Sequence, residues 1–92
     1  MRNPLVTVFM PVYNSEQYIE EALQSIVQQT YTNLDILIVD DGSTDRSVEL
    51  IRQFQDPRIR LIQNERNRGI PYTRNVGLRE ARGKYIAIMD SD

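Results

Sequence analysis

The stretch that decides the fold is Leu34-Asp35-Ile36-Leu37-Ile38-Val39-Asp40-Asp41-Gly42-Ser43. Ile36 to Val39 is a continuous apolar run and not an alternation, the pattern of a strand buried on both faces. Asp40-Asp41-Gly42-Ser43 then turns the chain. A sheet covered on both sides needs crossover helices, and the flanking sequence supplies them. Toward the N-terminus, Val6 to Met10 reads as a strand ending at Pro11. A helix opens at Asn14 or Ser15, where Asn14 and Gln17 have capping-box spacing, and it carries Tyr18, Ile19, Ala22, Leu23, Ile26 and Val27 at helical intervals. Toward the C-terminus, Ser43 or Thr44 caps a helix bearing Val48, Ile51 and Phe54, which Asp56-Pro57 closes. Ile59 to Ile62 is a short strand. After a polar loop from Asn64 to Gly69, Pro71 suits the first turn of a helix that runs to about Ala81, with Gly83 as its stop. Tyr85 to Met89 is a fourth apolar strand, followed by Asp90-Ser91-Asp92. The order β-α-β-α-β-α-β predicts a Rossmann-like, three-layer α/β/α unit with a four-stranded parallel sheet in the order 3-2-1-4.

Composition narrows the chemistry. The 92 residues suffice for one small domain, and 40% apolar with 26% charged residues suits a soluble globular chain. No apolar run approaches the roughly 18 residues of a membrane span. The start, Met1-Arg2-Asn3-Pro4, lacks the features of a signal peptide, so a cytoplasmic protein is expected. With neither Cys nor His, disulfides, thiolate nucleophiles, His-ligated zinc and a Ser-His-Asp triad within these residues are excluded. The net charge of −2 is divided: residues 1–57 hold three Arg against nine acids, whereas residues 58–82 hold seven Arg against Glu65 and Glu80. The acidic half would repel nucleic acid, which is not an expected partner.

In an open α/β sheet, ligands bind at the carboxyl ends of strands, near the point where strand order reverses. Here that point lies between the first and fourth strands. Pro11, Tyr13 and Asn14 follow the first strand, Asp40 and Asp41 the second, Asp90 and Asp92 the fourth. Two carboxylates one residue apart at a strand end can share a hard divalent cation, completed by substrate phosphates; an ordinary acidic turn reads the same way. Asp40-Asp41 can meet a ribose hydroxyl or the N–H of a uracil ring. Equally, one Asp can close the turn while the next helps to cap the helix. Tyr13 can stack on a flat base or simply pack half-buried. Arg74 and the loop Asn67-Arg68-Gly69 sit near a helix N-terminus that favours anions, with a structural salt bridge the alternative for Arg74.

The order of these short signals along the chain resembles that of family 2 glycosyltransferases of the GT-A type. The runs that carry the likeness are Val8-Phe9-Met10-Pro11-Val12-Tyr13-Asn14, Ser25 to Tyr31, Ile38-Val39-Asp40-Asp41-Gly42-Ser43-Thr44-Asp45, Asn67-Arg68-Gly69 with Arg74-Asn75-Val76-Gly77, and Gly83-Lys84-Tyr85-Ile86 through Asp90-Ser91-Asp92. The resemblance implies that residues 1–92 are the N-terminal, nucleotide-sugar-binding part of one such domain. It implies that Pro11 and Tyr13 line a nucleobase pocket, that Asp41 accepts from uracil, and that Asp40 supports that loop or reaches the ribose. Arg74 would lie near the diphosphate or brace the pocket. Asp90 would approach ribose, sugar or metal, and Asp92 would ligate Mn²⁺ or Mg²⁺, so both belong to the metal site. The implied reaction moves a sugar, with inversion, from a nucleotide diphosphate (UDP-sugars first) to the hydroxyl of a saccharide, lipid or protein acceptor. The lipid case would place the full enzyme at the inner membrane surface.

The family's general base belongs to the part after Asp-x-Asp, so none is named and these residues alone are expected to be inactive. The fourth strand, an apolar edge guarded by Lys84, is expected to self-associate, whereas Arg58 and Arg60 make the third strand a poorer partner. Two other enzyme and signalling classes fit less well. A dinucleotide oxidoreductase needs a Gly-rich first turn, and Pro11-Val12-Tyr13-Asn14-Ser15 has no Gly. A phospho-receiver needs an Asp on the third strand, and Ile59 to Asn64 has none. A non-catalytic half-domain that binds nucleotide weakly or not at all is the remaining alternative.

Overall fold

The computed structural model describes residues 3–90. Four strands alternate with three helices: β1 (Val6–Val12), α1 (Ile19–Val27), β2 (Leu34–Asp40), α2 (Ser47–Arg52), β3 (Ile59–Gln63), α3 (Ile70–Glu80) and β4 (Tyr85–Ile88). The strands form one parallel sheet in the order β3-β2-β1-β4, as the alternation requires. Val8, Met10 and Val12 of β1 and Leu34, Ile36 and Ile38 of β2 point to one face, where Ile19, Leu23 and Ile26 of α1 and Leu50 and Ile51 of α2 cover them. Phe9, Leu37 and Val39 point to the other, against Val76 of α3. The period-two alternation of a pleated strand thus divides one apolar run between two cores. Every residue of β2 is buried, which its unbroken apolar run predicts.

The helix starts differ from the sequence reading. α1 begins at Ile19 after a turn whose amides, Tyr18 and Ile19 N–H, donate to the Ser15 carbonyl, and no side chain caps it. Asn14 makes no capping box with Gln17, because its amide oxygen is engaged by Thr44. α2 begins at Ser47, with neither Ser43 nor Thr44 at its cap. Asp45 Oδ1 instead accepts from Ser47 N–H at 2.9 Å, while Ser43 turns back to Asp40. Short polar side chains near a helix start have several backbone partners within reach, and tertiary neighbours chose among them. Pro71 does occupy the first turn of α3. Gly83, however, is no left-handed C-cap: its need is space, since a Cβ there would lie 2.4 Å from Thr7 N.

Arg58, just before β3, and Arg60 within it also differ from expectation. Arg58 pairs with Asp56 at 2.7 Å and Arg60 with Asp35 at 2.8 Å, so both are tied inward and are not free charges guarding an edge. β4 is the other edge, and all four of its residues are exposed, Ile86 and Ile88 included.

Candidate functional site at the carboxyl edge

Three elements deliver polar groups to one end of the sheet. β1 runs out through Pro11 and Val12 to Tyr13, β2 to Asp41, and β4 to Asp90, whose predecessor Met89 still pairs with Phe9 of β1. Pro11, Val12, Tyr13, Ser15, Asp41 and Asp90, with Ile70 and Thr73 of α3, line a cleft of about 180 Å³. Tyr13 also borders a second cleft of about 490 Å³, where Asp40, Gly42, Ser43 and Thr44 face the loop from Gln63 to Asn67. The half-exposed Tyr13 ring therefore stands between two hollows, an arrangement open to a flat aromatic ligand.

The loops that frame Tyr13 are stapled together. Asn14 takes a positive φ of 47°, which Asn tolerates better than most residues. In that conformation its N–H donates to Ser43 Oγ at 2.8 Å and its Oδ1 accepts from Thr44 N–H at 2.8 Å. Ser15 N–H donates to Ser47 Oγ at 2.7 Å, and Glu16 N–H to Asp45 Oδ2 at 3.1 Å. The loop after β1 and the loop after β2 thus hold one another. Sequence reasoning missed Asn14, Ser43 and Thr44 in this role. The only signal was a pair of short polar runs at equivalent strand ends, equally legible as helix caps.

Asp40 and Asp41, adjacent in sequence, do different things. Asp40 is buried, and its two oxygens accept from Ser43 N–H (3.0 Å) and Ser43 Oγ–H (2.5 Å), closing the turn. Asp41 reaches across to the β3–α3 loop. It accepts from Asn64 Nδ2 at 2.9 Å, Arg68 N–H at 2.7 Å and Gly69 N–H at 3.0 Å, with the Thr73 hydroxyl as a further donor. The anion held at the N-terminus of α3 is therefore this carboxylate. Burial pushes the Asp41 carboxyl up, but the Arg68, Asn64, Gly69 and Thr73 donors outweigh it and leave it below its ordinary value. Gly42 lets the loop lie this close, since a Cβ there would come within 2.5 Å of Asn67 N. Gly69, at φ 94° and ψ 167°, adopts a conformation that is almost confined to glycine.

Asp90 is exposed and makes no hydrogen bond or ion pair with another described residue, so its oxygens are open to a cation. Asp92, the second expected metal ligand, lies outside the described residues. Among the described residues no three acidic side chains gather into a metal-holding group. Arg74 sits on α3 one residue beyond the cleft-lining Thr73; it is exposed, and the structure does not bring it into the cleft lining. No helix among the described residues is long and apolar enough to cross a membrane.

Known proteins match both sequence and fold. The chain is 40% identical, over its full length, to the Escherichia coli UDP-Glc:alpha-D-GlcNAc-diphosphoundecaprenol beta-1,3-glucosyltransferase WfgD, of which it covers 36%. The mannosyltransferase PcManGT from Pyrobaculum calidifontis, solved with GDP-Man and Mn²⁺, superposes with a TM-score of 0.91 at 34% identity, covering 99% of this chain and 28% of that one. S. aureus TarS 1-349, solved with UDP-GlcNAc, gives a TM-score of 0.89 at 35% identity over 95% of this chain and 26% of its own. The chain thus spans about a third of the length of the curated relatives it first matches. The family described as Glycosyl transferase family 2 matches residues 7–92, and with the parallel 3-2-1-4 sheet and its carboxyl-edge cleft the chain belongs to that family of glycosyltransferases, as part of a GT-A domain.

Proposed function

We propose that the cleft between Tyr13, Asp41 and Asp90 binds the nucleotide of a nucleotide-sugar donor. These residues are the donor half of an enzyme that transfers the sugar, with inversion, to an acceptor hydroxyl. The observation that carries the reading is the convergence of the ends of β1, β2 and β4 with α3 on one cleft. Pro11 and Tyr13 contact the base, Tyr13 by stacking. Asp41 faces the same cleft and accepts the base N–H, sharing a carboxylate already held by Asn64, Arg68 and Gly69. Asp40 fixes the loop beneath, and Arg74, one turn along α3 from Ile70, meets the diphosphate or braces the wall.

Asp90 and Asp92 hold a divalent cation, Mn²⁺ or Mg²⁺. The open carboxylate of Asp90 is the hard oxygen donor such ions prefer, and substrate phosphates complete a set that the described residues leave unfilled. Such an ion, when bound, would supply positive charge to offset the departing diphosphate. A uracil base is favoured because its single N–H suits an acceptor with little capacity to spare, and because WfgD and TarS are described with UDP-sugars. GDP-Man in PcManGT makes guanine the competitor. The acceptor is a saccharide, lipid or protein; a lipid-linked one, as in the name of WfgD, places the reaction at the inner membrane surface.

The test is calorimetric titration of the chain with UDP, GDP and ADP, with and without Mn²⁺. UDP is expected to bind most tightly. In metal-free buffer Asp41→Ala should weaken UDP about tenfold to a hundredfold, and Asp92→Ala far less, because a charged hydrogen bond is worth about 1.5–3 kcal/mol. Equal losses in both variants would contradict this division of roles. These residues alone bind donor without transferring sugar, and acceptor-dependent turnover by the pure chain would overturn that. The exposed β4 edge pairs two chains, which sedimentation over a concentration series reads directly; a monomer at high concentration rules it out. A non-catalytic half-domain is the second reading, and it predicts nucleotide binding that is weak or absent, with no preference for UDP and no gain from Mn²⁺.

A further inference from the structure

At the opposite, amino edge of the sheet lies a buried polar knot that the donor reading does not use. Thr7 of β1 is fully buried and Asp35 of β2 is nearly so. Thr7 Oγ1–H donates to Asp35 Oδ2 at 2.7 Å, and Arg60 of β3 clamps both Asp35 oxygens from Nε (2.8 Å) and Nη2 (3.0 Å). The knot then reaches past α3. Arg60 Nη2 donates to the Glu80 carbonyl at 2.7 Å, Arg82 N–H to Asp35 Oδ2 at 3.1 Å, and Gly83 N–H to Thr7 Oγ1 at 2.8 Å. Gly83 presses so closely on Thr7 that a Cβ would meet its N and Oγ1 at 2.4 and 2.8 Å. The segment between α3 and β4 is therefore fixed by two consecutive amides immediately before Lys84 N–H pairs with the Leu5 carbonyl.

β4 needs such a device. It has four residues, one neighbouring strand and no buried side chain, so packing does little to choose its register. A slip of one residue would turn every side chain to the other face and move Asp90 by about 3.3 Å along the strand. We propose that Thr7 and Asp35 are positioning residues: through the amides of Arg82 and Gly83 they set the register of β4 on β1, and so hold Asp90 at the cleft. The consequence for Asp90 rests on the donor reading above; the register lock does not.

Hydrogen exchange on the whole chain, resolved by residue, tests the lock without any nucleotide. In Thr7→Val, which keeps shape and loses the hydroxyl, the Lys84 and Met89 amides should exchange about tenfold faster while the amides of β2 keep their protection. Thr7→Ser restores the hydroxyl and should restore β4. A folded Thr7→Val with unchanged β4 protection overturns the proposal, as does equal loss in Thr7→Val and Thr7→Ser. Should Thr7→Val not fold, the wild-type chain decides. The Gly83, Lys84 and Met89 amides must open as one unit, and a Gly83 amide that opens independently of the other two overturns the lock. A UDP titration then adds the positioning readout: Thr7→Val should lose most of the Mn²⁺-dependent gain in affinity and keep the metal-free affinity. Faster β4 exchange with no nucleotide binding by any variant supports the lock and defeats the donor reading instead.

Discussion

β2 and β4 are built alike, each a short apolar run leading to aspartate at the carboxyl edge, yet all seven residues of β2 are buried and all four of β4 are exposed. The difference lies in the neighbours. β2 has β1 and β3 on either side and helices over both faces, whereas among the described residues β4 has β1 alone. Hydrophobic stabilisation follows area removed from water, so the same residue types contribute fully in one strand and only in part in the other. What holds β4 is backbone pairing and the polar knot at its start. One strand is a foundation of the core, the other a mount for Asp90.

The largest effect that sharpens this contrast is expected inside β2. Ile38→Ala should cost about 2–5 kcal/mol in urea unfolding, the range for emptying a packed aliphatic site. A loss below 1 kcal/mol would mean that β2 is not the centre of the core. Next comes Asp35→Ala, at about 3 kcal/mol: it strands the Arg60 guanidinium, the Thr7 hydroxyl and the Arg82 amide, though Arg60 stays a fifth exposed, which softens the loss. Full stability in that variant would deprive the amino-edge knot of any structural role.

Acid titration gives a third, graded test. The Asp35 carboxyl is pushed up by burial and brought lower still by Arg60, Thr7 and the Arg82 amide; Asp41 and Asp45 follow the same pattern, and Arg58 lowers Asp56. All four lie below their ordinary value of 3.8, so their contribution is present above about pH 4 and is lost as pH falls through the folded values. With no His in the chain, stability should be flat from about pH 5 to 8. A transition centred near pH 6 in the denaturation midpoint would break the account. The smallest effect belongs to β4: Ile88→Ala, on a residue 54% exposed, should stay within about 0.5 kcal/mol for the isolated chain. At concentrations where β4 pairs two chains, as proposed above, the loss should instead grow with protein concentration.

The strands, their order and the cleft were legible because they follow from periodicity and chain connectivity. The unbroken run of β2 announced two covered faces, and alternation with helices allowed few topologies. Pro11, Tyr13, Asp41 and Asp90 could be assigned to one edge because all lie at or just beyond the carboxyl ends of parallel strands. The partners of polar side chains were not legible. Asp40 closes its own turn, while its neighbour Asp41 reaches the Arg68 and Gly69 amides, more than twenty residues away in sequence. Asn14 resembled a helix cap and became a staple between loops, and Arg58 and Arg60 resembled edge charges and became inward clamps.

The sequence by itself determined the layers, the parallel sheet and the edge at which chemistry gathers, since apolar period and covalent order act locally and add up along the chain. Only the tertiary structure decided which donor each carboxylate took, why Gly83 must be a glycine, and what holds β4 in register. A hydrogen bond depends on a few tenths of an ångström between groups brought together by folding, and no spacing along the chain encodes that distance.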